Sequence, residues 1–382
     1  DSYMARNKSK SAGKLSIAEM RNLINKKAGM TVSHDLTSEN PSEVSDWIPT
    51  GSTWLNSIIC RGKTAGIPVG KITEIAGMEA SGKSYMAAQT CSNAQKKGIE
   101  VVYFDSESAI DPSFLERSGV NLSELLYTQA ISVEFVLETI EDLLNSNDTR
   151  FLFVWDSLAL TPAVSDVEGT FNPNESVAVK ARVLAKGMSK LIVTLANSQS
   201  TLLVLNQLKT NLQVANPKYA TDSEKYTCPG GKAMNYAYSL RVWLTGRKGK
   251  SSVILDDKGY RIGNEVKARL EKSRFGTAGR ICNFKIMWGG DIGVRDDESL
   301  FEAIQSSKHL NNAGAWWTLS YEDGTTEKFQ ASKWPQLMSG EKFRDRVMAI
   351  LDEEVVLKFD KRLVDADVFY EEEDEEVAKE SA

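Results

Sequence analysis

Apolar residues in the middle of the chain form short, almost uninterrupted runs, and stretches with helical spacing separate them. We predict strands at Lys71–Ala76, Val101–Phe104, Phe151–Trp155 and Thr201–Leu205. Runs this apolar are typical of strands buried on both faces of a parallel sheet. The helices predicted between them are Lys83–Lys97, Ser132–Asn145 and Val177–Asn197. Strands joined by helices in this way predict an α/β fold, in which a mostly parallel sheet carries helices on both faces.

The pattern changes after residue 230. Four segments alternate between apolar and polar residues, with short polar turns between them: Ser239–Leu244, Ser252–Leu255, Gly263–Leu270 and Ile281–Trp288. Alternation with short turns predicts an antiparallel extension of the same sheet. Residues 291–364 then combine helical stretches near Ser299–Gln305 and Glu341–Leu351 with an aromatic hairpin at Trp316–Tyr321. We interpret them as a small α+β C-terminal domain.

The first 45 residues are predicted to form a separate N-terminal segment. Ser16 is placed to cap a short helix that ends at Gly29, and Glu19 completes a capping box. The polar stretch after this helix predicts a linker. The predicted domains are therefore a helix and linker at 1–45, a core at 46–290, the C-terminal domain at 291–364 and a disordered acidic tail at 365–382.

Charge is distributed unevenly along the chain, whose net charge is −6. Residues 365–382 hold nine acidic side chains against Lys379, whereas the first 30 residues carry a net charge of +5. A basic start with an acidic end is typical of proteins that bind polyanions, although such runs are commonly only solvated chain. The four cysteines fit no zinc or redox spacing. No run approaches the roughly 18 apolar residues of a membrane span, and no secretory signal is visible, so we expect a cytoplasmic protein without a membrane partner.

The segment 77–84 follows a predicted strand and opens a predicted helix, which is the context of a phosphate-binding loop. It has the pattern Gly-x4-Gly-Lys-Ser, and its residues are Gly77, Met78, Glu79, Ala80, Ser81, Gly82, Lys83 and Ser84. The glycines let successive backbone N–H groups point inward at a helix N-terminus, where they can bind phosphate. In such a loop Lys83 would reach the β- and γ-phosphates of ATP, and Ser84 would bind Mg²⁺.

Polar side chains follow three other predicted strands. Asp156 comes directly after Phe151–Trp155, where a further carboxylate on the Mg²⁺ side belongs. Glu107 follows the strand at 101–104 and could activate the water that attacks the γ-phosphate, but Asp105 is an equal candidate two residues away. Gln207 could hydrogen-bond the γ-phosphate, although a polar residue after a strand is commonly part of a turn.

Two of these strands lead into long segments without periodicity, at 161–175 and 209–229. Loops of this length inside a compact domain are usually functional or disordered. Lysines in the second segment alternate with tyrosines and amides, a composition that suits single-stranded nucleic acid. The candidate DNA-binding residues are Lys209, Asn211, Gln213, Lys218, Lys225, Gly230 and Gly231.

Taken together, these motifs resemble the RecA-type recombinases, and they look closest to the phage UvsX-like branch of that family. The resemblance covers roughly residues 49–290. Its motifs in chain order are Thr50-Gly-Ser-Thr-Trp-Leu, Gly66-Ile-Pro-Val-Gly-Lys-Ile-Thr-Glu-Ile-Ala-Gly, the phosphate loop, Tyr103-Phe-Asp-Ser-Glu-Ser-Ala-Ile-Asp-Pro112, Trp155-Asp-Ser-Leu-Ala-Leu-Thr-Pro162, Leu205-Asn-Gln207 and Gly230-Gly-Lys.

The resemblance implies a RecA-like P-loop ATPase core and a role for each matching position. Glu107 becomes the general base, Asp156 the acid on the Mg²⁺ side, and Gln207 the sensor of the γ-phosphate. Asp111 and Phe114 fall at positions that flank adenine, although a phenylalanine here could instead pack in the core.

The resemblance also implies contacts beyond a single protomer. Lys272 and Arg274 match basic positions that reach the ATP of the next protomer, where cellular bacterial members tend to have two lysines. Residues 161–175 and 209–229 fall where the family has its DNA-binding loops, but their contents depart from the family pattern. The N-terminal helix and linker would dock on the neighbouring protomer in a helical filament.

We therefore expect an ATP- and Mg²⁺-dependent recombinase, a DNA-dependent ATPase that forms filaments on single-stranded DNA and pairs it with a homologous duplex. Single-strand-binding and loader proteins would be further partners. A hexameric DNA helicase on the same core is an alternative, and so is a recombination mediator that binds ATP without pairing DNA. The Asp-Ser-Glu motif, together with Asn-Gln and a trailing Gly-Gly, favours the recombinase. The acidic tail is expected either to compete with DNA for basic surface or only to solubilise the chain.

Overall fold

The computed structural model describes residues 13–168, 173–216, 218–228, 231–246, 252–289 and 292–358. Its helices are α1 (Ile17–Ala28), α2 (Thr53–Ile59), α3 (Lys83–Lys96), α4 (Pro112–Arg117), α5 (Val133–Ser146), α6 (Val164–Glu168), α7 (Pro173–Ser198), α8 (Asp222–Lys225), α9 (Gly231–Ala237), α10 (Asp296–Ile304), α11 (Trp334–Met338) and α12 (Glu341–Glu354). Its strands are β1 (Trp47–Ile48), β2 (Ile67–Pro68), β3 (Ile72–Gly77), β4 (Glu100–Asp105), β5 (Leu125–Gln129), β6 (Phe151–Asp156), β7 (Thr201–Gln207), β8 (Lys209–Thr210), β9 (Tyr226–Thr227), β10 (Leu240–Thr245), β11 (Val253–Leu255), β12 (Arg261–Ser273), β13 (Ile281–Met287), β14 (Gly293–Val294), β15 (Leu310–Ala313), β16 (Trp316–Ser320) and β17 (Thr326–Gln330).

The chain divides into two units, and the first ends at Ser45. It contains α1, which begins after the predicted N-cap Ser16, but only half of the predicted capping box is formed, because the Glu19 carboxylate contacts the Ser16 hydroxyl and not the Ser16 N–H. The Ser16 hydroxyl accepts the Glu19 N–H at 3.1 Å and donates to Glu19 Oε1 at 3.1 Å. Gly29 ends the helix with a φ of 69°, a left-handed conformation that favours glycine. Apolar side chains of α1 are exposed, among them Ile17 at 71% and Leu23 at 60%, so the helix presents an apolar surface.

One large sheet organises the second unit. Its strands run in the order β14-β13-β12-β10-β3-β7-β6-β4-β5, and β11 pairs with β12. The strands from β10 to β5 are parallel to their neighbours within that run. Strands β12, β13 and β14 extend the sheet antiparallel. The predicted α/β architecture with an antiparallel extension is confirmed.

The prediction for Ser239–Leu244 is wrong in one respect. This segment becomes β10, which pairs antiparallel with β12 but parallel with β3. It therefore belongs to both parts of the sheet. The alternation of apolar and polar residues reports which side chains are buried, and it carries no information on the direction of the neighbouring strand.

Helices cover both faces of the parallel strands, as predicted. Val101 and Tyr103 of β4 pack into the core that α2 and α3 cover, whereas Val102 and Phe104 pack against α5 and α7. Successive side chains of a strand point to opposite faces, so a strand covered on both faces must be apolar throughout. The carboxyl ends of these parallel strands meet at one edge of the sheet, where α/β proteins bind their ligands.

Several elements differ from their predicted limits. Helix α7 begins at Pro173 rather than residue 177, and β7 continues to Gln207. Strand β5 was not predicted, because its side chains are mostly exposed and give no apolar run. Gln207 therefore ends a strand instead of following one.

Residues after β14 form a third hydrophobic cluster, which includes α10, α11, α12 and the antiparallel sheet β15-β16-β17. The predicted aromatic hairpin is the central strand of that sheet. Trp317 packs edge-on against Phe301 at 5.0 Å between ring centres, whereas Trp316 is 43% exposed beneath Lys328. Trp334, 2% exposed, lies in the same cluster. The predicted acidic tail at 365–382 lies outside the described residues.

Candidate active site

The phosphate-loop segment joins β3 to α3. Gly82 is the N-cap residue of α3 and has a φ of 98°, in the left-handed region. A Cβ at this position would lie 2.3 Å from Ile286 Cδ1, so only glycine fits without displacing that side chain. The backbone N–H groups of the first turn of α3 therefore remain available to an anion. The Ser81 hydroxyl oxygen, in the same loop, is buried without a hydrogen-bond partner.

Most of the predicted ATP-site residues meet in one cavity of about 270 Å³. It lies at the carboxyl ends of β3, β4, β6 and β7. The predicted residues that line it are Glu79, Ala80, Lys83, Ser84, Glu107, Asp111, Phe114, Asp156 and Gln207. Ser81 and Gly82 line an adjacent cavity, and Gly77 and Met78 line neither of these two. Four stretches of chain separated in sequence thus supply one site.

The Lys83 side chain points back along the loop. Its Nζ donates to the backbone oxygens of Gly77 and Asn206, each at 3.3 Å. Burial lowers the pKa of Lys83. The ammonium group is therefore held between the end of β3 and the end of β7, where its partners are carbonyl groups that a phosphate could replace.

The three carboxylates at this edge have different surroundings. Asp156 accepts a hydrogen bond from the Tyr103 hydroxyl at 2.8 Å, and burial raises the pKa of Asp156. Asp105 is 4% exposed and accepts the Glu107 N–H at 3.0 Å and the Tyr127 hydroxyl at 2.9 Å. Glu107 is exposed and lines the cavity. All three carboxylates line the cavity, but Asp156 and Asp105 are hydrogen-bonded to the protein, whereas Glu107 is exposed.

A second cavity of about 330 Å³ adjoins the first. Phe114 lines both, and Tyr85, Ile286 and Trp288 complete its apolar wall. The Tyr85 and Phe114 rings meet edge-on at 6.3 Å, and the Arg261 guanidinium lies 5.1 Å from the Trp288 ring centre. Trp288 was not among the predicted site residues, because an aromatic residue at the end of an alternating strand carries no signal of its own.

Asp111 contributes to the site in a different way. It is the N-cap residue of α4, and its side chain accepts the Ser113 N–H at 3.0 Å. It therefore fixes the start of the helix that carries Phe114.

The segment 161–175 is anchored directly to the end of β6. Trp155 Nε1 donates to the Thr161 hydroxyl at 2.9 Å, and that hydroxyl donates to the Ser157 carbonyl at 2.9 Å. The Lys180 ammonium donates to two further backbone oxygens of this turn, at 2.8 and 3.1 Å. The turn that follows Asp156 is therefore held by hydrogen bonds from Trp155, Thr161 and Lys180.

Both predicted loops contain more secondary structure than expected. Helix α6 and the start of α7 lie within 161–175. Within 209–229, β8 pairs with β9, and α8 precedes β9. The expectation of irregular structure is wrong for these parts, because elements of two to five residues are too short to produce a periodic pattern.

Asn211 holds the second loop together. Its Nδ2 donates to the Glu224 carbonyl at 3.1 Å, and its Oδ1 accepts the Gln213 N–H at 3.1 Å. Lys209 lies on β8, where its backbone pairs with that of Thr227 on β9. The Asn211 amide is thus engaged within the loop.

The remaining candidate DNA-binding residues are spread along the loop. The Lys218 ammonium lies 5.7 Å from the ring centre of Tyr219, which is 76% exposed. Lys225 ends α8, and Gly231 begins α9. Gly230 lies outside the described residues.

Lys272 and Arg274 lie away from the ATP cavity of their own chain. In the sheet, Lys272 of β12 lies opposite Arg241 of β10, and Arg241 lies opposite Glu74 of β3. Glu74 is three residues before Gly77, where the phosphate loop begins. That separation is about 10 Å along a strand. Both side chains donate to backbone carbonyls of α9, Arg274 at 2.7 Å. Neither lines the cavity that holds the other candidate catalytic residues.

The model of the RecA N-terminal domain family matches residues 15–293, which is more than half of the chain. The chain belongs to the RecA family.

Members of the RecA family from several bacteria are similar to this chain. Protein RecA of Ruminococcus albus is 32% identical over 278 residues, which cover 72% of this chain and 64% of that protein. Protein RecA of Rhodopirellula baltica is 32% identical over 274 residues, covering 71% of this chain and 68% of that protein. Protein RecA of Streptomyces avermitilis is 28% identical over 282 residues, covering 73% and 70%.

In the part of the chain that the structure describes, no helix has both the length and the apolar character that a membrane crossing would need.

Proposed function

We infer that this protein is an ATP-dependent recombinase, a DNA-dependent ATPase that acts in DNA recombination and repair. The observation that carries this inference is the meeting of Glu107, Asp156 and Gln207 with the phosphate loop in one cavity. Two of the strands that supply them continue directly into 161–175 and 209–229. In this RecA-family chain, the strands β6 and β7 would therefore contact a bound nucleotide and also lead into the two loops.

The residues that line the cavity suit ATP with Mg²⁺. The open first turn of α3, the unpartnered Ser81 hydroxyl and Lys83 suit phosphate oxygens. Ser84 and Asp156 line the same cavity, and Mg²⁺ binds through one or two carboxylates together with substrate phosphates. We assign Ser84 and Asp156 to the metal, whose role would be to neutralise charge on the phosphates.

We assign the general base to Glu107. Asp105 lines the same cavity, but it is buried and each of its carboxylate oxygens already accepts a hydrogen bond from the protein. Glu107 is free to accept a proton from a water beside the γ-phosphate, and Gln207 lines the same cavity as a sensor of that phosphate.

The apolar cavity suits adenine. Phe114 and Trp288 offer flat aromatic surfaces beside the phosphate loop, and Asp111 holds the helix that carries Phe114. This assignment adds Trp288 to the two residues proposed from sequence.

Lys272 and Arg274 are proposed to act on the ATP of a neighbouring protomer. Their distance from the cavity in their own chain supports this role, since cations that stabilise a transferring phosphoryl group must contact it. ATP hydrolysis would then require assembly of a filament on single-stranded DNA. The exposed apolar residues of α1 suit docking on that neighbour.

Further assignments follow the sequence. Lys209, Gln213, Lys218, Lys225, Gly230 and Gly231 are proposed to contact single-stranded DNA, and Asn211 to shape the loop that carries them. We also propose the phage UvsX-like branch, supported by identities of only 28% and 32% to bacterial RecA proteins. A phylogenetic tree that placed the chain among cellular RecA proteins would contradict it. Single-strand-binding and loader proteins are proposed partners in the cytoplasm of a bacterium or an infected host cell.

The function is tested by a strand-exchange assay with ATP and with a non-hydrolysable analogue. We expect joint molecules between single-stranded DNA and a homologous duplex, ATP hydrolysis that needs DNA, and loss of both in Lys83→Ala. Electron microscopy with ATP and single-stranded DNA should show helical filaments. Closed rings would indicate a helicase, and stimulation of another recombinase without pairing would indicate a mediator.

The division of the site between protomers has a sharper test. Glu107→Gln and Arg274→Ala should each abolish hydrolysis when assayed alone. Mixing the two variants should restore activity, because some interfaces would then combine an intact Glu107 with an intact Arg274. Equal amounts should give up to about a quarter of the wild-type rate, since random assembly pairs the two intact halves at that frequency. Failure of the mixture to recover activity while filaments still form would contradict action in trans.

A further inference from the structure

Glu74 is a buried carboxylate that the ATP chemistry does not use. It lies on β3 with no exposed surface. Four side chains donate to it: Arg241 Nε at 2.9 Å, Asn206 Nδ2 at 2.9 Å, Trp243 Nε1 at 3.1 Å and Cys228 Sγ at 3.2 Å. A carboxylate at such depth is stable only when it is paired and hydrogen-bonded. Glu74 therefore fixes the position of all four donors.

Two of these donors mark the ends of the 209–229 loop. Asn206 directly precedes Gln207 at the entrance, and Cys228 lies at the exit. Burial, together with the nearby Glu74 carboxylate, raises the pKa of the Cys228 thiol. The thiol therefore stays protonated and can donate a hydrogen bond to Glu74. Both bonds end on the same oxygen, Glu74 Oε2. One oxygen atom thus joins the two ends of the loop.

The entrance is also connected to the ATP site. Lys83 Nζ donates to the Asn206 carbonyl at 3.3 Å. A phosphate in the cavity would compete for that ammonium group and for Gln207, the next residue. The nucleotide would therefore act on Asn206, whose backbone carbonyl accepts from Lys83 and whose side-chain amide donates to Glu74.

The exit is connected to the cations proposed for the next protomer. Arg241, paired with Glu74, also donates from Nη1 to Asn235 Oδ1 at 3.0 Å. Asn235 lies on α9, which follows the loop, and its carbonyl accepts from Lys272. The neighbouring Tyr236 carbonyl accepts from Arg274 at 2.7 Å. Glu74 therefore stands between the loop exit and the helix that positions both cations.

We propose that Glu74 is a positioning residue that ties the entrance and exit of the DNA loop to one another, and both of them to the helix that holds Lys272 and Arg274. Nucleotide at Gln207 and DNA on the loop would then act on one shared buried group. By thermodynamic linkage, DNA binding must change the affinity for ATP by the same factor by which ATP changes the affinity for DNA. The inference rests on the proposed function.

The hydrogen bond from Cys228 can be removed without leaving the buried Glu74 carboxylate unpaired. Cys228→Ala removes the exit tether, while Arg241, Asn206 and Trp243 still compensate the Glu74 carboxylate. Cys228→Ser restores a hydroxyl donor at the same place. Cys282→Ala is the matched control, because it removes the same thiol from a fully buried position in the core on β13, away from Glu74, whereas Cys228 is only partly buried.

The experiment measures ATP hydrolysis by the full chain with and without single-stranded DNA, and the affinity for ATP in the absence of DNA. In Cys228→Ala we expect the stimulation by DNA to fall about threefold to tenfold, as the loss of one hydrogen bond from a weak donor would give. The affinity for ATP in the absence of DNA should stay within about twofold of the wild type, because Cys228 does not line the cavity. Cys228→Ser should recover most of the stimulation, and Cys282→Ala should match the wild type.

Hydrogen exchange of the backbone amides in 209–228 provides the direct measurement. A non-hydrolysable ATP analogue should change exchange at both ends of the loop in the wild type, and only at the entrance in Cys228→Ala. Glu74→Gln should lose the response at both ends.

Three outcomes separate the hypotheses. Wild-type stimulation in Cys228→Ala, with an unchanged exchange response, would overturn the tether. An equal loss in Cys282→Ala would also overturn it, since the effect would then be general destabilisation. Absence of DNA stimulation in the wild type would instead contradict the proposed function.

Discussion

Exchange of Glu107 or Asp105 for its amide distinguishes the two carboxylates that the sequence left equal. Glu107→Gln removes an exposed carboxylate, so the free energy of unfolding should not change. It would remove the proposed general base, and kcat should fall by about 10² to 10⁴, equivalent to about 3–5 kcal/mol of activation free energy. ATP binding should persist, because Lys83 and the phosphate loop are untouched.

Asp105→Asn should behave in the opposite way. The carboxylate accepts the Glu107 N–H at 3.0 Å and the Tyr127 hydroxyl at 2.9 Å. An asparagine presents one oxygen and one NH₂ group, and the NH₂ group cannot accept either bond. Loss of one hydrogen bond to a buried charged acceptor costs about 2 kcal/mol, so the free energy of unfolding should fall by that amount. Some loss of kcat is also expected, since the Glu107 backbone would move.

The assay combines DNA-dependent ATP hydrolysis, titration with a fluorescent ATP analogue and urea unfolding on both variants. We expect a catalytic defect with normal stability in Glu107→Gln and reduced stability with a smaller catalytic defect in Asp105→Asn. If Asp105→Asn abolished hydrolysis at unchanged stability while Glu107→Gln remained active, the general base would be Asp105 and the argument from hydrogen bonding would be refuted.

Three further predictions concern other parts of the chain. Gly82→Ala should lower ATP affinity at least about tenfold in a nucleotide titration, because its Cβ would lie 2.3 Å from Ile286 Cδ1 at a φ of 98°; normal affinity would contradict the geometry of the phosphate loop. Trp334→Ala should destabilise the C-terminal cluster by about 3–5 kcal/mol in urea unfolding, because a buried side chain and its 2.6 Å hydrogen bond to the Asp297 carbonyl are lost; a loss below about 1 kcal/mol would show that this cluster repacks. Deletion of 365–382 should raise affinity for duplex DNA, most strongly at low Mg²⁺ and low salt; unchanged affinity and salt dependence would exclude autoinhibition by the tail.

Local signals in the sequence were sufficient for much of the fold and of the ATP site. The Ser16 and Gly29 caps act within one helix turn, so they could be located from adjacent residues alone. Asp156 and Gln207 could be predicted to lie close together, because both were placed at the ends of parallel strands, whose carboxyl ends meet at one edge of the sheet. The phosphate loop is likewise continuous in sequence.

Features that depend on distant contacts could not be predicted. Glu74 meets Asn206, Cys228 and Trp243 across 132, 154 and 169 residues. Glu74 and Asn206 lie within two of the motifs, but neither motif indicated that these side chains meet. Trp288 reaches the phosphate loop only because β13 ends beside it. The choice between Glu107 and Asp105 likewise required the Tyr127 hydroxyl, which comes from a strand that the sequence did not reveal.

The placement of Lys272 and Arg274 away from their own nucleotide has a consequence for the ends of an assembly. If these cations serve only the adjoining protomer, a row of n protomers contains n − 1 complete hydrolytic centres. The protomer at one terminus then retains ATP without cleaving it, while the protomer at the other contributes cations that have no substrate. The two termini differ chemically although every subunit is identical, and this difference would give growth and disassembly a direction.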